Sequence, residues 1–246
     1  MPKHAILIQL VALLAILCGV SVANAQPVSR PVGDPRDAEL ADAQQWHTQY
    51  RTQNARLRAT GRRPTIVFIG DSITEGWPQK LPSFFSVDRI GRGISGETSA
   101  EMLTRFQQDV IELKPRVVHI MAGTNDIAGL AALITAEETE ANIRSMCELA
   151  RLHGIRVIIA SIPPADIFSW RPGLAPSPKI RALNNWLQSY ARDSGTVYAD
   201  YWAVLHAGNA MRADLSSDSV HPNEKGYTAM APVAEIAIRR ALKAKR

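Results

Sequence analysis

Apolar runs at 65–69, 116–121, 156–160 and 197–201 are too continuous for strands with one solvated face, and a weaker run lies at 87–90. Between them, apolar residues recur three and four positions apart, which predicts helices over 99–113, 136–153 and 179–191 and a last one over 223–242. An earlier helix is predicted over 37–59, where Leu40, Ala43, Trp46, Tyr50 and Leu57 hold helical spacing before Gly61. Gly154 follows the 136–153 segment in the manner of a helix-terminating glycine. Connections of this length carry the chain back for parallel pairing. The alternation therefore predicts an α/β fold in which helices cover both faces of a parallel sheet. No internal repeat is visible.

The first 25 residues break this pattern. Lys3 and His4 precede an apolar stretch from Ala5 to Leu17 that only Gln9 interrupts, and Ala23-Asn24-Ala25 is a small-x-small cleavage site. This reads as a secretory signal; the uninterrupted apolar stretch is shorter than the roughly 20 residues a spanning helix needs. Cys18 follows the bulky Leu17, which argues against a lipid anchor there. The expected organisation is a signal peptide over 1–25, a leader and helix over 26–60, and one main domain over 61–246. Export to the periplasm or the medium follows, with no stable membrane insertion once the signal is cleaved. Cleavage leaves Cys147 as the single cysteine, so no intrachain disulfide can form, and its place beside Ile143 and Met146 on an apolar helix face marks it as core.

Composition narrows the class of protein. With 246 residues, 46% hydrophobic and 21% charged, the chain is neither low-complexity nor disordered, and it can bury one sizeable core. Its formal charge of +5 is scattered apart from short clusters such as the C-terminal one, so no dense basic stripe suggests a nucleic-acid partner.

In parallel α/β sheets the chemistry collects beyond the carboxyl ends of the strands. Four segments fall there: Gly70-Asp71-Ser72-Ile73, Gly93-Ile94-Ser95-Gly96, Gly123-Thr124-Asn125-Asp126, and Asp218-Ser219-Val220-His221 just before the last helix. A serine hydroxyl becomes a useful nucleophile only when a base takes its proton and a third group holds that base in one tautomer. Ser72 sits just past a buried strand, and Asp218-x-x-His221, the one such pair in the chain, supplies both partners from a single loop. Pro222 suits the first position of the helix that follows. Acyl transfer also needs donors for a developing oxyanion, and the Gly96 backbone N–H and the Asn125 side-chain amide are suited to that task. No histidine pair has helical metal-ligand spacing, so neither metal nor cofactor is expected.

At these residues the sequence resembles the SGNH hydrolases, also called the GDSL family of esterases and lipases, whose four blocks stand here in order. The resemblance runs from about residue 65 to 241. It implies a three-layer α/β/α sandwich with a five-stranded parallel sheet of flavodoxin-like order 2-1-3-4-5. It also implies that Ser72 is the nucleophile, His221 the general base and then acid, and Asp218 its orienting partner. The oxyanion hole would combine the Ser72 and Gly96 backbone N–H groups with the Asn125 side chain. The block around Ser72 looks most similar to secreted bacterial members that remove short acyl groups, often acetyl, from carbohydrate. Members acting as lysophospholipases or arylesterases share the same blocks.

The expected substrate is thus a small-molecule or oligosaccharide ester, with Asp71, Trp77, Asp126 and Trp170 as candidate contacts. The two indoles suit stacking on sugar rings; Ile167, Phe168 and Leu174 suit an acyl chain instead. Two rival functions are weaker. Gly91-x-Gly93-x-x-Gly96 matches a dinucleotide fingerprint but follows the second strand, and the acidic residues downstream, Asp109 and Glu112, lie within a predicted helix. A non-catalytic sugar-binding module would have no need of the complete Ser, His, Asp and Asn set.

Overall fold

The computed structural model describes residues 35–130 and 134–243. The expected signal segment, most of the leader and Cys18 lie outside these residues. Chain order begins with helix α1 (Pro35–Ala59), strand β1 (Ile66–Gly70), helix α2 (Ser72–Lys80), β2 (Arg89–Gly93) and α3 (Ser99–Asp109). It continues through β3 (Val117–Met121), the short α4 (Thr124–Ala128), α5 (Ala136–Leu152), β4 (Arg156–Ala160), α6 (Pro176–Ser194) and β5 (Val197–Ala199). A single-turn α7 (Trp202–Leu205) and a two-residue hairpin, β6 (His206–Ala207) with β7 (Ala210–Met211), precede the last helix, α8 (Glu224–Lys243).

Strands β1 to β5 form one parallel sheet in the order 2-1-3-4-5, the arrangement expected from the resemblance. The continuous apolar runs have a direct cause. In β1, Val67 and Ile69 enter one core layer and Ile66 and Phe68 the other, so both faces of the strand are dry. Helices α3, α5 and α6 close the first layer with Met102, Phe106, Ile143, Met146, Ile180 and Leu183. Helices α2 and α8 close the second with Ile73, Trp77, Tyr227, Met230 and Ile238. Cys147 is fully buried in the first layer, and burial pushes its thiol up to about 12, which keeps it protonated.

The structure departs from the sequence pattern in a few places. Residues 72–80, to which the apolar pattern assigns no element, form helix α2; Gly76 and Pro78 hide it from a periodicity reading, and Asp71 caps it by accepting the Ile73 N–H at 2.9 Å. Strand β2 lies at Arg89–Gly93, later than the run at 87–90, because β1 fixes its register from Ile66↔Arg89 to Gly70↔Gly93. Helix α6 begins at Pro176, a few residues before the predicted start, with proline in its first turn. Pro222 does not open α8 but pairs with Ser216 ahead of it.

Candidate active site

The carboxyl ends of β1, β2 and β3 and the turn before α8 converge. Ser72 opens α2, and the abrupt strand-to-helix passage brings α2 against β2: a Cβ at Gly93 would lie 2.1 Å from the Glu75 backbone nitrogen. Ser72 Oγ stands 2.9 Å from His221 Nε2, and His221 Nδ1 stands 2.6 Å from Asp218 Oδ2. With Nδ1–H donated to the carboxylate, Nε2 keeps its lone pair for the serine hydroxyl. The second carboxylate oxygen accepts the backbone N–H groups of Val220 (3.0 Å) and His221 (2.7 Å). Ser219 adopts φ +73 to bring this turn round, and the Ser216 hydroxyl and Ser217 N–H both donate to the His221 carbonyl. Partial burial pulls the Asp218 carboxyl upward, but the bonds from His221 and Val220 prevail and hold it below the ordinary range. The aspartate therefore stays ionised beside the imidazole.

Opposite this loop lies the turn after β2. Gly96 adopts φ +78, a conformation that favours glycine. Ser95 N–H donates to the Glu75 carboxylate at 2.7 Å and Glu97 N–H to the Ile94 carbonyl. Asn125, in α4 and nearly fully buried, donates one Nδ2 hydrogen to the Glu97 carbonyl at 2.9 Å. Nδ2 carries a second hydrogen besides this one.

Beneath that turn runs a buried polar network. Arg105 Nε donates to Glu97 Oε2 (2.6 Å), and its other nitrogens donate to Asp109 (3.0 Å) and to the Gly70 carbonyl (3.1 Å), two residues before Ser72. Burial raises the Glu97 carboxyl to about 7 against the opposing pull of Arg105. Helix α1 is bonded into the same network. The Tyr50 hydroxyl donates to the Gly93 carbonyl (2.7 Å), Asn54 donates to Asp109 (2.6 Å) and accepts two bonds from Arg92, and His47 Nε2 lies 3.3 Å from Glu97.

The expected substrate contacts divide. Trp170 is 38% exposed, stacks on Phe168 at 5.0 Å and holds its ring centroid 6.2 Å from that of His221, so it borders the triad. Trp77 is the reverse: it has no exposed surface and is packed between Phe84 and Tyr227, at 5.0 and 5.5 Å, so it cannot stack on a sugar. Asp126 is likewise corrected. It is buried and accepts the Ser99 N–H at 2.9 Å, the Ser99 hydroxyl, and the Thr139 hydroxyl at 3.1 Å, which ties α4 to α3 and α5. Asp71 is buried as the α2 cap, and burial lifts its carboxyl to about 6. Phe168, offered as an acyl contact, is buried behind Trp170, whereas Ile167 is exposed. Arg105 is missed by sequence reasoning because a charged residue in a helical pattern reads as a solvated face; the signal that could find it is that Arg105 and Asp109 share the stripe of Met102 and Phe106, whereas Glu97, in the turn before that helix, carries no such signal. Among the described residues, no group of three or more metal-ligating side chains converges.

Comparison with known proteins identifies the family. The family model described as GDSL-like lipase/acylhydrolase matches residues 68–229, well over half of the chain. The solved structure of a GDSL-like lipase from Bacteroides thetaiotaomicron superposes with a TM-score of 0.74 at 38% identity, covering 79% of this chain and 97% of that one. The acetylxylan esterase of Geobacillus stearothermophilus is 25% identical over 207 residues, 70% of this chain and 92% of the relative. An uncharacterized lipoprotein of Bacillus subtilis, YqeF, is 34% identical over 117 residues, a match that spans 40% of this chain and 48% of the relative.

Proposed function

Because the chain belongs to the GDSL-like lipase/acylhydrolase family and is a carboxylic ester hydrolase, we propose that it is an exported esterase that cleaves short acyl groups, acetyl foremost, from carbohydrate alcohols through an acyl-enzyme on Ser72. The observation that carries this reading is the unbroken chain from Ser72 Oγ through both His221 nitrogens to Asp218. Ser72 attacks the ester carbonyl carbon while His221 Nε2 takes its proton. The tetrahedral oxyanion receives N–H groups from Ser72, Gly96 and Asn125. His221 then returns the proton to the departing alcohol, and water repeats the sequence to release the acid. The α2 amino terminus adds its dipole at the developing charge.

The carbohydrate preference rests on Trp170. The group beside the general acid borders the departing alcohol, and a half-exposed indole offers a flat apolar face to a sugar ring. The acetylxylan esterase relative is consistent with this. Export rests on the residue pattern of the first 25 positions. The test is turnover of p-nitrophenyl acetate, then of acetylated xylooligosaccharide against lysophosphatidylcholine, with Ser72→Ala as control. Release of acetate from the sugar is expected to exceed lysolipid cleavage. Preference for the lysolipid would replace the carbohydrate reading with a lysophospholipase while leaving the catalytic assignment intact.

A further inference from the structure

The opposite end of the sheet holds a second concave surface, of about 690 Å³, where three loops enter β1, β3 and β4. The strand register draws these loops together: the Thr65 carbonyl accepts the N–H groups of Arg116 and Val117, and the Arg116 carbonyl accepts the N–H of Arg156. Each loop delivers cations. Arg63, Lys114, Arg116 and Arg156 line the cavity, with His153 at its edge. Its one carboxylate, Glu112, is already engaged at 2.9 Å by Arg58.

The charges at this end are not balanced within the protein. Arg105, by contrast, is neutralised by Glu97 and Asp109. Among the described residues no ion pair or side-chain hydrogen bond engages Arg63, Lys114, Arg116 or Arg156. Arg156 Nε is sealed from solvent with its N–H donated to nothing. Guanidinium groups without a partner in the protein keep their donor capacity for an anionic oxygen. Four cations lining one cavity, Arg63, Lys114 and Arg116 of them exposed, exceed what a single carboxylate balances, and they suit a phosphate, which carries more charge and more acceptor oxygens.

We propose that this pocket binds a phosphate group, free or as the phosphodiester of an envelope lipid headgroup. The site lies roughly 15 Å from the triad across the five-residue strand β3. A protein held by it on a phosphate-bearing surface would turn its catalytic mouth away from that surface, towards soluble ester. Catalysis itself does not use the pocket.

The test uses the full exported chain, its Arg116→Gln/Arg156→Gln variant, and a charge-matched control, Arg240→Gln/Lys243→Gln, on the outer end of α8. Hydrolysis of p-nitrophenyl acetate, expected to be unchanged in both variants, verifies that each is folded, and the single Arg116→Gln change serves if the double variant is not. One arm measures the rise in Tm with sodium phosphate against sodium chloride at equal ionic strength. The other measures sedimentation with phosphatidylglycerol vesicles against phosphatidylcholine vesicles. A phosphate-specific rise in Tm, weakened about tenfold or more in apparent affinity in the Arg116/Arg156 variant and retained in the control, establishes a free-phosphate site. Binding to the anionic vesicles alone, with the same dependence on the variants, establishes the phosphodiester source. No phosphate-specific response in either arm, or equal loss in the charge-matched control, overturns the proposal.

Discussion

The two sides of the candidate active site, with the roles proposed above, are built by opposite means. The acid–base side is a solvent-facing turn: Asp218 and His221 keep about a third or more of their side chains exposed, and the turn is held by its own backbone bonds. The oxyanion side rests on Glu97, Arg105, Asp109 and Asn54, all nearly sealed from water and bonded to one another. The difference matches the tasks. A histidine that passes a proton to an alcohol and then from water needs access to both, whereas dipoles that stabilise an oxyanion are most effective when fixed in advance in a dry environment. It follows that substitutions on the exposed side should cost turnover without stability, and those on the buried side should cost stability first.

His221→Ala is the most severe break on the exposed side. In triads that act as a unit, loss of the base lowers kcat by about 10⁶, while Tm here should stay within about 2 °C of the parent. A large fall in Tm would show that the turn is structural as well. Asn125→Ala lies where the two sides meet. It should lower kcat by about 10² to 10³ with little change in KM, because the lost N–H acts mainly in the transition state. A kcat within a few-fold of the parent, accompanied by lower stability, would confine Asn125 to its bond with the Glu97 carbonyl. Tyr50→Phe probes the buried side through α1. It leaves the Gly93 carbonyl without its donor and should cost about 1–3 kcal/mol in denaturant unfolding, with kcat of the folded enzyme nearly unchanged.

The smallest effect concerns pH. The folded Glu97 carboxyl titrates at about 7, above its ordinary 4.5. The native state therefore binds that proton more tightly than the unfolded chain does, so its contribution to stability falls as pH rises from about 4.5 to about 7. Asp218, held below its ordinary range, acts in the reverse sense, losing its contribution only as pH falls into the acid range. Glu97→Gln should flatten the decline between about pH 4.5 and 7 in unfolding free energy measured against pH, and an unaltered slope would remove Glu97 as its source.

Much of this architecture is legible in the amino-acid sequence. Strands buried on both faces leave continuous apolar runs, which is why the parallel sheet can be read directly, and the four blocks place Ser72, Gly96, Asn125, Asp218 and His221 at its carboxyl edge. What is not legible has physical reasons. Helix α2 carries Gly76 and Pro78, which periodicity takes as punctuation, although the Asp71 cap and proximity to β2 keep it helical. Trp77 reads as a substrate platform because a tryptophan near a nucleophile is ambiguous until its helix face is known. The supporting role of α1 depends on contacts from Tyr50 to Gly93 and from Asn54 to Asp109, far apart in sequence and without local signature.

The role proposed for Ser72 is that of the acylated nucleophile, activated by His221. It is tested most directly by treating the protein with a fluorophosphonate and locating the adduct by peptide mass spectrometry. One adduct per chain is expected, on the peptide containing Ser72, absent in Ser72→Ala and formed far more slowly in His221→Ala. Labelling at another residue, or undiminished labelling of the Ser72→Ala protein, would contradict it.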